Sequence, residues 1–334
     1  MATIKDVAKE AGVSVTTASR VINKAQYTSE TAVKAVNAAM EKLGYRPNIN
    51  AQALVTKSSN TIGVIVNDVS SPFFGAMVKA IDVVAIEHKK RLLIGNGYHN
   101  AGKEREAINL LLDSHCESLV VHSKGLHDEE LIELAGKIPG MVLINRNVVG
   151  IESRCIALDN YRGSYMATEY LIRNGHKHIG YLCSSHSIDD AYDRKSGYIA
   201  ALKDNGIEPE EEYIAYGEPD EQGGELAMSN LIAKNMPVTA VAAYNDYMAA
   251  GGMVMLQENG INIPEEMSIV GFDDGYIASC IYPRLTTIKY PIQVMAQEAV
   301  KLSLSLVSNK PLHHRVNNLF MPILIRRSSV SCIS

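Results

Sequence analysis

Cysteine is scarce in this sequence and poorly placed for cross-linking or metal binding. The five cysteines, Cys116, Cys155, Cys183, Cys280 and Cys332, are odd in number, widely scattered and never spaced as CxxC. This argues against a disulfide framework and a zinc site and fits a reducing, cytoplasmic setting. No stretch reaches the ~18 apolar residues a membrane helix needs. No apolar run precedes a cleavage site at the N-terminus, where Asp6 and Glu10 interrupt the opening residues, so neither export nor membrane crossing is expected. Catalytic motifs are missing too. There is no Gly-x-Ser-x-Gly elbow and no metalloprotease motif, and Gly95-Asn96-Gly97 lacks the third glycine of a dinucleotide fingerprint at Asn100. His176 and His178 have no Cys or acid at metal spacing and read as solvated or backbone-bonded. No enzyme, cofactor or metal is expected.

What is present is a chain of 334 residues, 46% apolar and 21% charged, long enough for two or three globular domains. Charge divides it unevenly. Residues 1–57 carry eight Lys or Arg against four acids, a net +4, which leaves −9 for the remainder of a chain whose total is −5. A basic head on an acidic body suits a tethered DNA-binding module.

Three short helices are predicted in the head, residues 1–46. Thr3 caps the first, whose inward face is Ile4, Val7, Ala8 and Ala11, and Gly12 makes the turn. Ser14 caps the second, in which Val15, Ala18, Val21 and Ile22 recur at helical spacing. The third starts near Ser29 and runs through Val33, Val36, Ala39, Met40 and Leu43 to Gly44. Small Ala8, the Gly12 turn and the wedge of Val7, Ala18 and Val21 describe a helix-turn-helix. Its second helix offers Thr16, Thr17 and Arg20 to base edges and Ser14 and Ser19 to phosphates. The alternative is a three-helix protein-binding bundle.

Residues 47–60 read as a hinge. Pro47 stops the third helix, and Asn48 can cap a short helix over 50–55 that is too short to be stable alone and orders with DNA and a second copy. Leu54 on such a helix could wedge into the minor groove; an ordinary flexible linker with a stray leucine is the other reading.

From Thr61 onward short apolar strands alternate with amphipathic helices, the pattern of a parallel sheet wound on both faces. Strands are predicted at 61–67, 91–95, 118–122, 141–145, 178–183, 239–243 and 268–272, and helices at 73–90, 161–174 and 246–259. That is too many strands for one simple sheet. Two similar lobes follow, approximately 61–160 plus 291–322 and 161–290 plus 323–334, in the arrangement of periplasmic binding proteins. Ligands bind beyond the carboxyl ends of such strands. Those ends carry Asp68 with Phe73 and Phe74, Asn145 and Arg146, His186 with Arg194, Tyr244-Asn245-Asp246, and Phe272-Asp273-Asp274. Amides, carboxylates and a forked Arg suit neighbouring hydroxyls, and an aromatic ring covers the apolar face of a sugar. Asp246 and Asp274 also stand where helices begin and could equally be caps.

Thr3-Ile4-Lys5-Asp6-Val7-Ala8, Ala11-Gly12-Val13-Ser14, Ser19-Arg20-Val21-Ile22-Asn23, Gly44-Tyr45-Arg46-Pro47-Asn48 and Gly271-Phe272-Asp273-Asp274 together resemble the lactose/galactose repressor family of bacterial transcription regulators. Pro72–Ala80, Leu93–His99, Pro139–Arg146 and Tyr244-Asn245-Asp246 resemble its galactose-operon members in particular. The resemblance implies a cytoplasmic homodimer on double-stranded operator DNA, with D-galactose as inducer in the cleft. Carried over residue by residue, it gives the base-reading positions to Val15, Thr16 and Arg20 and the minor-groove wedge to Leu54; Ser14, Thr17, Ser19, Asn23 and Asn48 complete the expected DNA contacts. It gives sugar contacts to Asn145, Arg194, Asn245 and Asp273, and the strand-end reading adds Phe73, Phe74, Arg146 and Tyr244 to the expected ligand contacts. Ala18 stands where the family usually has valine, and no leucine heptad precedes Ser334, so a dimer is the expected limit.

Overall fold

A computed structural model describes residues 2–23, 28–46, 60–116, 118–308 and 316–333. The expected hinge helix, with Asn48 and Leu54, lies outside the described residues.

The head is three capped helices on one small core. Thr3 Oγ1 accepts from the Asp6 N–H and Asp6 Oδ2 accepts from the Thr3 N–H, a reciprocal cap on α1 (Ile4–Glu10). Ser14 caps α2 (Val15–Ile22) through the Thr17 N–H, and Ser29 caps α3 (Glu30–Leu43) through the Ala32 N–H. Gly12, at φ +66°, turns the chain between α1 and α2 in a conformation that only glycine adopts freely. Val7, Ala8, Ala18, Val21, Val36 and Ala39 fill the space between the helices.

The body forms two six-stranded sheets. In lobe 1 the order is β2-β1-β3-β4-β5-β11, from β1 (Thr61–Val66), β2 (Arg91–Asn96), β3 (Ser118–Val121), β4 (Gly140–Ile144), β5 (Cys155–Leu158) and β11 (Leu319–Phe320), all parallel. In lobe 2 it is β7-β6-β8-β9-β10-β12, from β6 (Ile179–Ser184), β7 (Ile214–Gly217), β8 (Ala240–Ala243), β9 (Ser268–Asp273), β10 (Thr286–Lys289) and β12 (Ile323–Ile325). Only β12 runs antiparallel to its neighbour, β10. Every residue of β1 is buried, as a strand covered by helices on both faces requires. Lobe 1 carries α4 (Pro72–Glu87), α5 (Ala101–Asp113), α6 (Asp128–Lys137) and the late α12 (Ile292–Ser308), which returns to pack on β3, β4, β5 and α4. Lobe 2 carries α7 (Asn160–Arg173), α8 (Asp189–Asp204), α9 (Glu221–Ile232), α10 (Asp246–Glu258) and the short α11 (Tyr276–Cys280). The chain passes between lobes three times, after β5, after β10 and between β11 and β12.

Strands β5, β7, β10, β11 and β12 go beyond those expected from the sequence; β11 and β12, of two and three residues, are too short for a distinct periodicity. The cap reading of Asp246 and Asp274 is overturned. Asn245 caps α10 through the Met248 N–H at 2.8 Å, and Gly275 stands at the N-cap of α11. Asp246 instead accepts from Thr287 Oγ1 at 2.5 Å and from the Gly275 N–H at 2.7 Å, and Asp274 pairs with Arg327 at 2.5 Å. Their carboxylates brace the β9–α11 loop rather than a helix start. No described helix is long and apolar enough to cross a membrane.

Candidate functional site

On the head, burial sorts the residues of α2. Ala18 and Val21 face the core, whereas Val15, Thr16 and Arg20 are exposed on the outer face. Ser14 and Thr17 share a hydroxyl contact at 2.8 Å, and Asn23 Nδ2 donates to Ser19 Oγ at 3.3 Å. These four side chains therefore already have local partners, while Val15, Thr16 and Arg20 are exposed, with Thr16 and Arg20 one turn apart.

In the body, the carboxyl ends of the central strands meet across a cleft of about 500 Å³. Phe73, Phe74, Asn145, Arg194, Tyr244, Asn245 and Asp273 all line it, as do Asp68 and His186. Arg146 does not, and this corrects its expected place among the ligand contacts. Asn145 sits at φ +58°, a left-handed turn that swings the next residue away from the cleft. Arg146 donates instead to the carbonyls of Ser123 and Leu126 and to Asp128, stitching the β3–α6 loop.

Arg194 is the buried centre of the lobe 2 wall, only 3% exposed. Its guanidinium lies 3.7 Å from the centre of the Phe272 ring and 4.6 Å from that of Tyr244. Nε donates to Asn160 Oδ1 at 2.9 Å and NH1 to the Tyr244 carbonyl at 2.6 Å, with Asp273 Oδ1 at 3.7 Å. The helix that carries it comes close because residue 197 is glycine: a Cβ there would stand 2.2 Å from the Tyr161 carbonyl oxygen. Burial pushes the Asp273 carboxyl up to about 7, against the opposing pull of Arg194.

The lobe 1 wall, together with Tyr290 on the crossing after β10, is different in kind. Asn67 Oδ1, His99 Nδ1, His122 Nδ1, Asn145 Oδ1 and Tyr290 Oη are buried with no partner, five of the six such side-chain atoms among the described residues. Rings surround them: Phe73 stands edge-on to Phe74 at 5.2 Å and to Tyr290 at 5.0 Å, and Phe74 to His122 at 4.8 Å. Of these lining residues the sequence reading misses Asn67, His99, His122 and Tyr290. The signal for two of them was present: Asn67 and His122 each stand one residue past a strand, but the predicted strands run one residue too long and enclose them. Among the described residues no cluster of metal-ligating side chains occurs.

Burial, then the neighbouring His186 and Lys124, push His99 down to about 4. A buried neutral histidine adds stability that is complete above its ordinary value near 6.5 and is lost as pH falls from there through about 4. Asp273 has the opposite sign, its contribution being lost as pH rises toward about 7. Replacing His99 removes the first effect alone. Between about pH 7 and pH 5, His99→Gln is expected to lose less melting temperature than the wild-type body, by roughly 2–4 °C per kcal/mol. Equal losses in differential scanning calorimetry would show that His99 is not held neutral.

The profile described as "Bacterial regulatory proteins, lacI family" matches residues 3–48, and that described as "Periplasmic binding protein-like domain" matches residues 168–330. The HTH-type transcriptional regulator GalR of Escherichia coli (strain K12) is 54% identical over 331 residues, 99% of this chain and 96% of that protein. The chain belongs to the lacI family. This lacI-family chain is also 52% identical to the HTH-type transcriptional regulator GalS of Salmonella typhimurium (strain LT2), across 99% of its own length and 97% of the relative's. The crystal structure of the Lac repressor dimer bound to operator and the anti-inducer ONPF superposes with a TM-score of 0.85 at 27% identity, covering 99% of each chain. As a lacI-family protein it is a DNA-binding transcription regulator and not an enzyme.

Proposed function

We propose that this chain is a cytoplasmic homodimeric repressor of galactose transport and utilisation genes, released from its operator when D-galactose enters the cleft between the lobes. The observation that carries the ligand class is the lobe 1 wall with Tyr290, where five polar atoms are buried without partners beside aromatic rings. An unmet buried polar group costs about 1–3 kcal/mol. A ring bearing several hydroxyls and one apolar face relieves that cost and fills the space between Phe73, Tyr290 and Arg194. The similarity to GalR and GalS over nearly the whole chain favours galactose among such sugars.

On this reading Val15, Thr16 and Arg20 read base edges, with Ser14, Thr17, Ser19 and Asn23 holding the register against phosphates. Exposed Val83 and Ile86 on α4 and Leu93 and Ile94 on the edge strand β2 supply apolar surface for a second copy. Without sugar the body holds two heads at operator spacing; the sugar favours a lobe arrangement that does not. A thousandfold loss of operator affinity needs about 4 kcal/mol of preference for that second arrangement.

The test is a gel-shift titration on a galactose-operon operator with and without galactose. Retention of the complex at saturating galactose would remove the inducer assignment, and parallel calorimetry against fucose, ribose and hypoxanthine would show which ligand replaces it. In the same assay Arg20→Ala is expected to weaken operator binding by about 1–3 kcal/mol, roughly fivefold to 150-fold. An unchanged midpoint would take Arg20 off the bases.

A further inference from the structure

Two side chains outside the proposed set of sugar contacts join the lobes beside the cleft. Asp190 stands in the first turn of α8, in lobe 2, and is 6% exposed, yet its carboxylate is held mainly from lobe 1. Oδ1 accepts from Lys124 Nζ at 2.6 Å and Oδ2 from Asn145 Nδ2 at 2.6 Å. The Lys124 side chain, on the loop after β3, is 1% exposed, and its ammonium also donates to the Asn145 carbonyl at 2.6 Å. Within lobe 2, Asn160 Nδ2 reaches Asp190 Oδ1 at 3.5 Å, and Asn160 Oδ1 in turn receives Arg194 Nε at 2.9 Å.

The chemistry of an amide makes this arrangement directional. Asn145 has one end that donates and one that accepts. With Nδ2 turned to Asp190 the amide is fixed end for end, and its accepting atom, Oδ1, is among the buried atoms with no partner. Arg194 is fixed through Asn160 in the same way, so one carboxylate sets the orientation of two proposed sugar contacts on opposite walls. Burial opposes the charge on Asp190, but Lys124 and Arg194 outweigh it and hold the carboxyl below its ordinary range. A buried ion pair is a poor device for stability alone, since apolar residues of similar volume serve as well.

We propose that Asp190 is the positioning residue of the cleft, clamped across the lobes by Lys124, so that presenting Asn145 Oδ1 to a ligand hydroxyl and holding the lobes together are one event. The sugar part of this rests on the function proposed above; the clamp does not.

The test uses the full-length dimer. Calorimetry with D-galactose compares wild type, Asn145→Ala, Asp190→Asn and the double variant. An asparagine at 190 cannot accept from both Lys124 and Asn145, so each single variant is expected to bind at least about tenfold more weakly. The double variant is expected to lose less than the two single losses combined, because the Asn145 share is common to both changes and only the Arg194 share is added. Fully additive losses, or Asp190→Asn binding as wild type does, overturn the positioning role. A second measurement needs no ligand. In Lys124→Gln, hydrogen exchange at residues 122–126 and 188–194 is expected to quicken about tenfold while the centres of both sheets stay protected. Unchanged exchange there, or faster exchange throughout both lobes, overturns the clamp. Absence of galactose binding by the wild type would count against the inducer assignment alone, and the exchange measurement would still decide the clamp.

Discussion

Arg194→Met is expected to leave the repressor on its operator at galactose concentrations that fully release the wild type. Methionine keeps the apolar stem of the side chain but not the guanidinium that lies over the Phe272 and Tyr244 rings. The Tyr244 carbonyl and Asn160 Oδ1 lose their donors, and Asp273, already pushed up to about 7, loses the cation 3.7 Å away and becomes a neutral acid at physiological pH. Breaking a buried charge pair from one side costs about 3–5 kcal/mol. Part of that falls on the fold and part on the ligand, and a loss of galactose affinity of a hundredfold or more, about 3 kcal/mol, is the expected outcome in calorimetry. Adding Asp273→Asn should restore melting temperature without restoring affinity, because it removes the orphaned carboxyl but supplies no donor to the sugar. Release of the Arg194→Met protein at the wild-type galactose concentration would show that the guanidinium takes no part in ligand recognition.

The second large effect concerns the head. Val7→Asp is expected to abolish operator binding and leave ligand affinity unchanged. Val7 is fully buried in a core of six residues, four of them valine or alanine on α1 and α2. Burying one valine contributes about 1.5–3 kcal/mol, so even an apolar truncation would be felt in a unit this small, and an unpaired carboxylate costs more still. The cleft draws every one of its lining residues from the body, residues 67 to 290, and its two sheets do not depend on the head. Anisotropy with a labelled operator should show no specific complex, while calorimetry with galactose gives the wild-type isotherm. Operator binding by the variant within tenfold of wild type would contradict this account of head stability.

The helices of the head were legible because each carries a capping residue and a period near 3.6, and a glycine follows α1 and α3. Thr3, Ser14, Ser29, Gly12 and Gly44 each stand where the local chemistry required. The apolar runs of β1, β3, β4, β6 and β9 were legible from composition and their bounding turns, whereas the pairing of Cys155–Leu158 and Thr286–Lys289 depends on neighbours distant in sequence. For the cleft, the rule that ligands gather past strand ends led to Asn145, Tyr244, Asn245 and Asp273. It failed for residues that other elements deliver: Asp190 and its partner Lys124 meet only in the tertiary fold, and Tyr290 arrives on a crossing between lobes. Arg146 shows the opposite failure. Standing next to a correct residue, it was turned outward by a left-handed backbone that sequence periodicity does not reveal. Asp246 looked like a cap because it begins a helix, but Asn245, one residue earlier, had already taken that position.

The triple passage of the chain between lobes has a consequence for biosynthesis. Lobe 1 begins at β1 yet is completed by α12 and β11, which are synthesised after the whole of lobe 2 apart from its last strand, β12. A ribosome therefore releases the head as a finished unit early, then holds an incomplete first lobe, with the faces of β3, β4 and β5 that α12 will cover still open, while about two-fifths of the polypeptide, residues 159 to 291, is added. Chaperone occupancy on the nascent chain should concentrate in that interval.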